Sequence, residues 1–217
     1  MRNSIILVLA LLAIALSGFS IFQSSQQQSF RADTLYALGD LYMLENRPLS
    51  AAASYEKAIA IEKRPFAYTA LGNAYLRARN LTAAEEILRK ALAENSTNDD
   101  ALFILASVHL SDRKYTLAEQ ELKRVIELVP TADNAYDALG TLYLDQENLK
   151  QANETFQKGI MVSPNNANLH NGLGVTYLKM RMFHEAADEF RTALSLDPNH
   201  ANARRNLDVA LMQPTAA

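Results

Sequence analysis

The segment HEAAD at 184–188 begins like His-Glu-x-x-His, a helical spacing that turns two imidazoles and a carboxylate base toward zinc. Asp188 stands where the second histidine must be, so one of the two imidazoles is missing. His109, His170, His184 and His200 are the other candidates, and they share no ligand spacing. The chain has no cysteine, which excludes disulfides, thiol nucleophiles and cysteine-held zinc. GLG at 172–174 lacks the third glycine and the preceding strand of a dinucleotide loop. Neither a Gly-x-Ser-x-Gly turn nor a phosphate-cradling P-loop occurs. Carboxylates in AEE (84–86) and ADEF (187–190) fall on polar helix faces, where solvation explains them. The sequons NLT (80–82), NST (95–97) and NET (153–155) matter only in a glycosylating cell. The expectation is therefore no catalytic residue, no cofactor and no metal, with an enzyme of unrecognised type as the outside reading.

Charge narrows the partners. The chain of 217 residues carries a formal charge of −3, and Arg2 is the only charge before Arg31. The chain beyond residue 30 is mildly acidic, which argues against a nucleic-acid surface. The first 30 residues are different in kind. IILVLALLAIALSGFSIF, Ile5 to Phe22, is an uncharged run of 18 residues, and the Gln/Ser stretch QSSQQQS comes next. As a helix the run spans about 27 Å, near the minimum for a bilayer core. Residues 1–22 are thus expected to be a signal-anchor or transmembrane helix, with 23–31 as a linker. The alternative is a signal peptide read at Ala15-Leu16-Ser17, which would leave a periplasmic or secreted protein. Continuation of the apolar run through Phe19, Ile21 and Phe22 favours the anchor. In both readings Arg2 keeps the N-terminus in the cytoplasm and the remainder is exported. LSGF (16–19) is no lipid-attachment site, because Phe19 stands where the lipidated cysteine must be.

The elements that would position any site repeat at a fixed interval. Leu38-Gly39, Leu71-Gly72, Leu105-Ala106, Leu139-Gly140 and Leu173-Gly174 each precede, by three residues, Tyr42, Tyr75, His109, Tyr143 and Tyr177. Then come Ala51, Ala84, Ala118, Ala152 and Ala186, and four further on Tyr55, Leu88, Leu122, Phe156 and Phe190. Pro130, Pro164 and Pro198 close the last three units. Leu35, Leu38 and Tyr42 share one helical face; Ala51, Tyr55, Ala58 and Ile59 share the face of a second helix. Short polar turns such as RARN and LDQEN force the two helices antiparallel. Each unit is then a two-helix hairpin that cannot bury its apolar face alone and must stack on its neighbours. A glycine inside a helix costs about 1 kcal/mol relative to alanine. Its expected return is close approach of two helices through small residues, the glycine facing the invariant alanine.

The order Leu-Gly-x-x-Tyr … Ala-x-x-x-Phe … Pro at a 34-residue period resembles the tetratricopeptide repeat, with His170 in the place of the family's tryptophan. Its five units are 32–64, 65–98, 99–132, 133–166 and 167–200. The helix 201–212 has Arg204 for the aromatic and Asp208 for the glycine and is expected to be a polar cap, with a tail at 213–217. His109 and His170 are expected to be packed in place of aromatics. The resemblance implies an all-α, right-handed superhelical solenoid whose first helices line a concave groove. Carried over residue by residue, that groove holds Tyr36, Asp40, Met43, Phe66, Asn73, Leu76 and Arg77; Phe103, Ser107 and Leu110; Asp137, Thr141 and Leu144; and Asn171, Val175, Leu178 and Lys179. Met43, Leu76, Leu110, Leu144 and Leu178 would form an apolar ladder along it. Tyr36 and Asp40 occupy the first places of the clamp with which chaperone-binding members hold a terminal carboxylate, and an aspartate repels one. The asparagine ladder of the sugar-transferase relatives is absent, since Ala37, Ala70, Ile104, Ala138 and Gly172 stand there. The expected function is a membrane-anchored, extracytoplasmic scaffold that binds a protein or peptide, in envelope, pilus or secretion assembly. The alternative is a cleaved, soluble form that self-associates into a homo-oligomer through its stacked ends.

Overall fold

The structure is a computed structural model that describes the backbone of residues 2–212 and the side chains of residues 23–212. The described residues are all-α: α1 (Arg2–Leu44), α2 (Pro48–Ile61), α3 (Ala67–Arg77), α4 (Leu81–Glu94), α5 (Asp99–Ser111), α6 (Tyr115–Leu128), α7 (Asp133–Asp145), α8 (Leu149–Val162), α9 (Ala167–Lys179), α10 (Phe183–Leu196) and α11 (Ala201–Leu211). They form two compact units, Met1–Ala91 and Leu92–Ala217. The first packs α1 against α2 and α2 against α3 around Ala32, Tyr36, Ala51, Tyr55, Ala58 and Leu71. In the second, the hairpins α5–α6, α7–α8 and α9–α10 stack in order and α11 packs on α10 and α9. Its core runs from Leu102, Leu122 and Val125 through Tyr136, Leu139 and Phe156 to Leu169 and Leu173.

Each hairpin turn has the same chemistry. The second residue past the end of each first helix lies in the left-handed region, at Asn46, Arg79, Arg113, Glu147 and Arg181, with φ between 56° and 63°. The next amide then reaches back five residues, as in Lys114 N to His109 O and Asn148 N to Tyr143 O, both 2.8 Å. This arrangement satisfies carbonyls that a bare helix end leaves open. Asn98, Asn148 and Asn166 cap the helices they precede by accepting from backbone amides.

The connections between later repeats are closed by one side chain six residues beyond each proline. Tyr136 Oη donates to Pro130 O at 3.2 Å, His170 Nε2 to Pro164 O at 2.9 Å, and Arg204 Nη2 to Pro198 O at 2.6 Å. His170 also meets Glu189 Oε2 through Nδ1 at 2.7 Å, so both ring nitrogens face acceptors. His109 is buried and pairs with Glu121 through Nδ1 at 2.8 Å. Both histidines are packed, as their repeat positions required.

Two expectations change. The glycines do not face the invariant alanines; they face the large residue four positions further along the second helix. A Cβ on Gly140 would lie 2.6 Å from Phe156 Cζ, and one on Gly172 would collide with the same ring. Phe156 itself is fully buried. The missing side chains therefore make a slot for an aromatic ring, which buries far more area than an alanine would. Residues 23–31, expected as a linker, are helical and continuous with α1. Gln and Ser propagate a helix once it is nucleated, and this stretch contains no glycine or proline. Ser29 accepts from Arg64 Nη2 at 3.0 Å, tying the end of the stretch to the first hairpin. The side chains of the expected anchor, 5–22, lie outside the described residues. Among the described residues no helix is long and apolar enough to cross a membrane.

Candidate functional site

The candidate residues of the first unit are largely committed to the fold. Tyr36, expected in the groove, is buried; its hydroxyl donates to Glu62 O at 2.8 Å and its ring meets Phe66 edge-on at 5.0 Å. The cause is the connection after α2, residues 62–66, which carries Lys63 where the last three units have proline and folds over α1. Burial pushes the Tyr36 phenol up in pKa. Asp40 accepts from Tyr55 Oη at 2.6 Å, and burial together with that bond pushes Tyr55 up as well. Arg77 donates to Met43 O at 3.1 Å and to Asn46 Oδ1 at 2.9 Å, locking the turn after α1. Met43 packs half-buried against the core, while Asn73 and Leu76 are half-buried and Phe66 is half-exposed.

The apolar ladder is mostly packing surface. Phe103 and Leu110 lie against the core of the second unit, and Leu144 is buried. Leu178 packs against Ala186, Ala187 and Phe190. These leucines spend much of their surface filling the space between helices. Ser107 donates to Phe103 O at 3.0 Å within its own helix.

The second unit leaves a polar groove open. Asp137, Thr141, Leu144 and Asp145 from α7, Asn168, Asn171, Gly172, Val175 and Lys179 from α9, and His200, Asn202 and Asn206 at α11 enclose about 460 Å³. Of the expected residues, Asp137, Thr141, Leu144, Asn171, Val175 and Lys179 come together there. His200, Asn202 and Asn206 escape a reading of the sequence, because the departures at Arg204 and Asp208 mark α11 as a cap. The helix serves both purposes: Arg204 and Asp208 lie away from this groove while Asn202 and Asn206 face it. The signal that finds Asn202 and Asn206 is their 34- and 35-residue offset from Asn168 and Asn171, respectively.

Hydrogen bonds preorganise this wall. Ala203 N donates to His200 Nδ1 at 3.2 Å, which leaves the ring proton on Nε2 to bond Asn168 Oδ1 at 3.1 Å. Asn206 Nδ2 donates to Asn171 Oδ1 at 3.1 Å. Asp133, one turn before Asp137, accepts from Asn166 Nδ2 at 2.9 Å and Ser163 Oγ at 3.0 Å, and these bonds hold its pKa below the usual range. Asp137 is the opposite case. It is half-buried and accepts no hydrogen bond from any described residue; burial first, and the neighbouring Asp133 charge second, raise its pKa, against a smaller lowering by His200. Among the described residues no group of three or more His, Asp or Glu side chains could hold a metal ion.

The repeat signature is matched by family models across most of the chain: "Tetratricopeptide repeat" at 32–65, 69–133 and 167–200, and "TPR repeat" at 140–180. The chain belongs to the tetratricopeptide repeat family. No curated protein matches this repeat chain in sequence. Solved structures do match its fold. MamA from Desulfovibrio magneticus RS-1 is 22% identical with a TM-score of 0.68, covering 79% of this chain and 97% of that one. YrrB, described as a TPR protein with an unusual peptide-binding site, is 23% identical with a TM-score of 0.63, covering 85% and 95%. A chain of the APC/C hetero-tetramer Cut9-Hcn1 gives 21% identity and a TM-score of 0.70; the match covers 83% of the repeat chain but only 36% of that relative.

Proposed function

We propose that this tetratricopeptide repeat protein is an interaction scaffold whose α7–α9–α11 groove holds an extended segment of another protein. The observation that carries the reading is the wall of asparagines. An asparagine amide offers both donor and acceptor, which complements the main chain of an extended peptide whatever its side chains. Asn168 and Asn171 are held in place by His200 and Asn206, so little side-chain ordering remains to oppose binding. YrrB supports the same use of the fold through its described peptide-binding site.

We place the scaffold on the extracytoplasmic side of a membrane, anchored by the apolar run 5–22, with work in envelope, pilus or secretion assembly as the context. The single basic residue Arg2 before that run supports the orientation. Crosslinking capture from native membranes tests the scaffold. Thr141→Arg with Asn171→Leu should abolish capture of the partner while the helical circular dichroism persists. Undiminished capture by that variant removes the groove from the function. Ala15-Leu16-Ser17 supports the second reading, a cleaved form, which the mature mass decides.

A further inference from the structure

We infer that the α7–α9–α11 groove selects a peptide bearing a lysine or arginine, whose cationic head sits against Asp137. This inference rests on the groove reading above and adds the chemistry of the ligand.

Charge is unevenly distributed along the groove. Asp137 and Asp145 lie eight residues apart on α7, about 12 Å along the helix at its usual rise. That distance is the reach of roughly four residues of extended peptide. Asp145 and Lys179 hold the same place in their repeats, 34 residues apart, and both line the far end of the groove. Their fields oppose each other there. The corresponding neighbour of Asp137 on α9 is Asn171, which brings no charge. His200, whose ring is engaged by Ala203 N and Asn168, acts on Asp137 only weakly: its charge lowers the Asp137 pKa by less than burial and the Asp133 charge raise it. The near end of the groove therefore has one half-buried carboxylate with no lysine or arginine on its walls and only a weak opposing influence from His200.

The same carboxylate takes no hydrogen bond from the described residues, whereas the carboxylate one turn earlier, Asp133, takes two. Folding thus provides donors for Asp133 and none for Asp137. A partly desolvated carboxylate gains most from a charge-assisted donor supplied from outside, and lysine or arginine is the side chain that supplies one. An acidic or C-terminal carboxylate ligand meets repulsion at the same place. The alkyl stem of the basic side chain has the half-buried Val175 to lie on, beside the edges of the buried Leu144 and Gly172 that border the groove.

The probe is a bead-displayed library of random nonapeptides selected on the full chain, with affinities of the enriched peptides measured by titration calorimetry. The expected result is enrichment of Lys or Arg at one position. Asp137→Asn should weaken such peptides about tenfold. Replacing the basic residue by norleucine or citrulline should weaken them equally, and combining both changes should cost nothing further. The peptide-side change leaves the protein fold untouched. Enriched peptides that show no basic position and ignore Asp137→Asn, yet weaken on Asn171→Leu, overturn this inference and leave the groove reading standing. Peptides indifferent to every groove substitution, or no enrichment at all, overturn both.

Discussion

A half-buried carboxylate with no donor among the described residues is a cost to the fold, and Asp137 is such a group. Its folded pKa is raised above the unfolded value, chiefly by burial, so the folded chain holds that proton more tightly. The penalty is absent below the unfolded value, near 3.9, and grows as pH rises through the folded value. Asp137→Asn should therefore raise the melting temperature at pH 7 and leave it unchanged near pH 3, in paired scans of the two proteins. A variant less stable than wild type at pH 7 would show that the carboxylate has an internal partner. A stabilising loss of a groove residue is what a binding group, kept at the expense of the fold, produces. Gly172 illustrates the contrary case. Alanine there gains about 1 kcal/mol of helix propensity but drives a methyl into Phe156, a ring that already lies against the Gly140 backbone. Overpacking of this kind costs about 1–3 kcal/mol, so Gly172→Ala should lower the urea midpoint. Adding Phe156→Leu should recover part of the loss; additive losses would mean that the ring is not the obstacle.

At the scale of helices and turns, the 34-residue interval carried most of the architecture. Helices α5, α7 and α9 begin at residues 99, 133 and 167, where the repeat arithmetic starts its units. Small and large apolar residues recurring in helical phase are enough for that, because each hairpin meets the same neighbour surface. What the interval could not tell is which face a given side chain ends on when one connection differs. Tyr36 is drawn inward by the connection 62–66, and Leu144 is buried by its own unit. The groove wall at α11 was hidden for a related reason: Arg204 and Asp208 break the signature on one face while Asn202 and Asn206 continue the other. The turns were legible as short and polar, but their left-handed residue was not, since none of the five is glycine. An L-residue with a side chain there carries a conformational cost of roughly 1–2 kcal/mol. Glu147, exposed at φ 57°, offers the clean test. Glu147→Gly should stabilise the chain by about 0.5–1 kcal/mol in urea denaturation, part of the relief being lost to the freer unfolded glycine. A destabilised variant would indicate that the Glu147 side chain contributes contacts of its own.

On the scale of the whole chain, the proposed groove and the proposed membrane anchor would serve each other. A scaffold that gathers partners at a membrane gains from a fixed local concentration, which an anchor supplies without any new contact. The helix of α1 passes without interruption from the apolar run into the first hairpin, and Ser29 is tied down by Arg64. An uncleaved chain would on that geometry carry its first repeat on a stiff stem rather than a slack tether, since helical backbone does not coil as Gly/Ser-rich linkers do. Two substitutions separate the possibilities. With the native sequence, carbonate washing should leave the protein in the membrane pellet at its full-length mass. Leu9→Arg with Leu12→Arg should release it, because a charge at the centre of a span costs about 2.5–3.5 kcal/mol on insertion scales. Recovery of a soluble native protein whose mass begins at Gly18 would instead establish cleavage after Ser17. In that case the groove acts free of the membrane, and its partner must be brought to it by affinity alone.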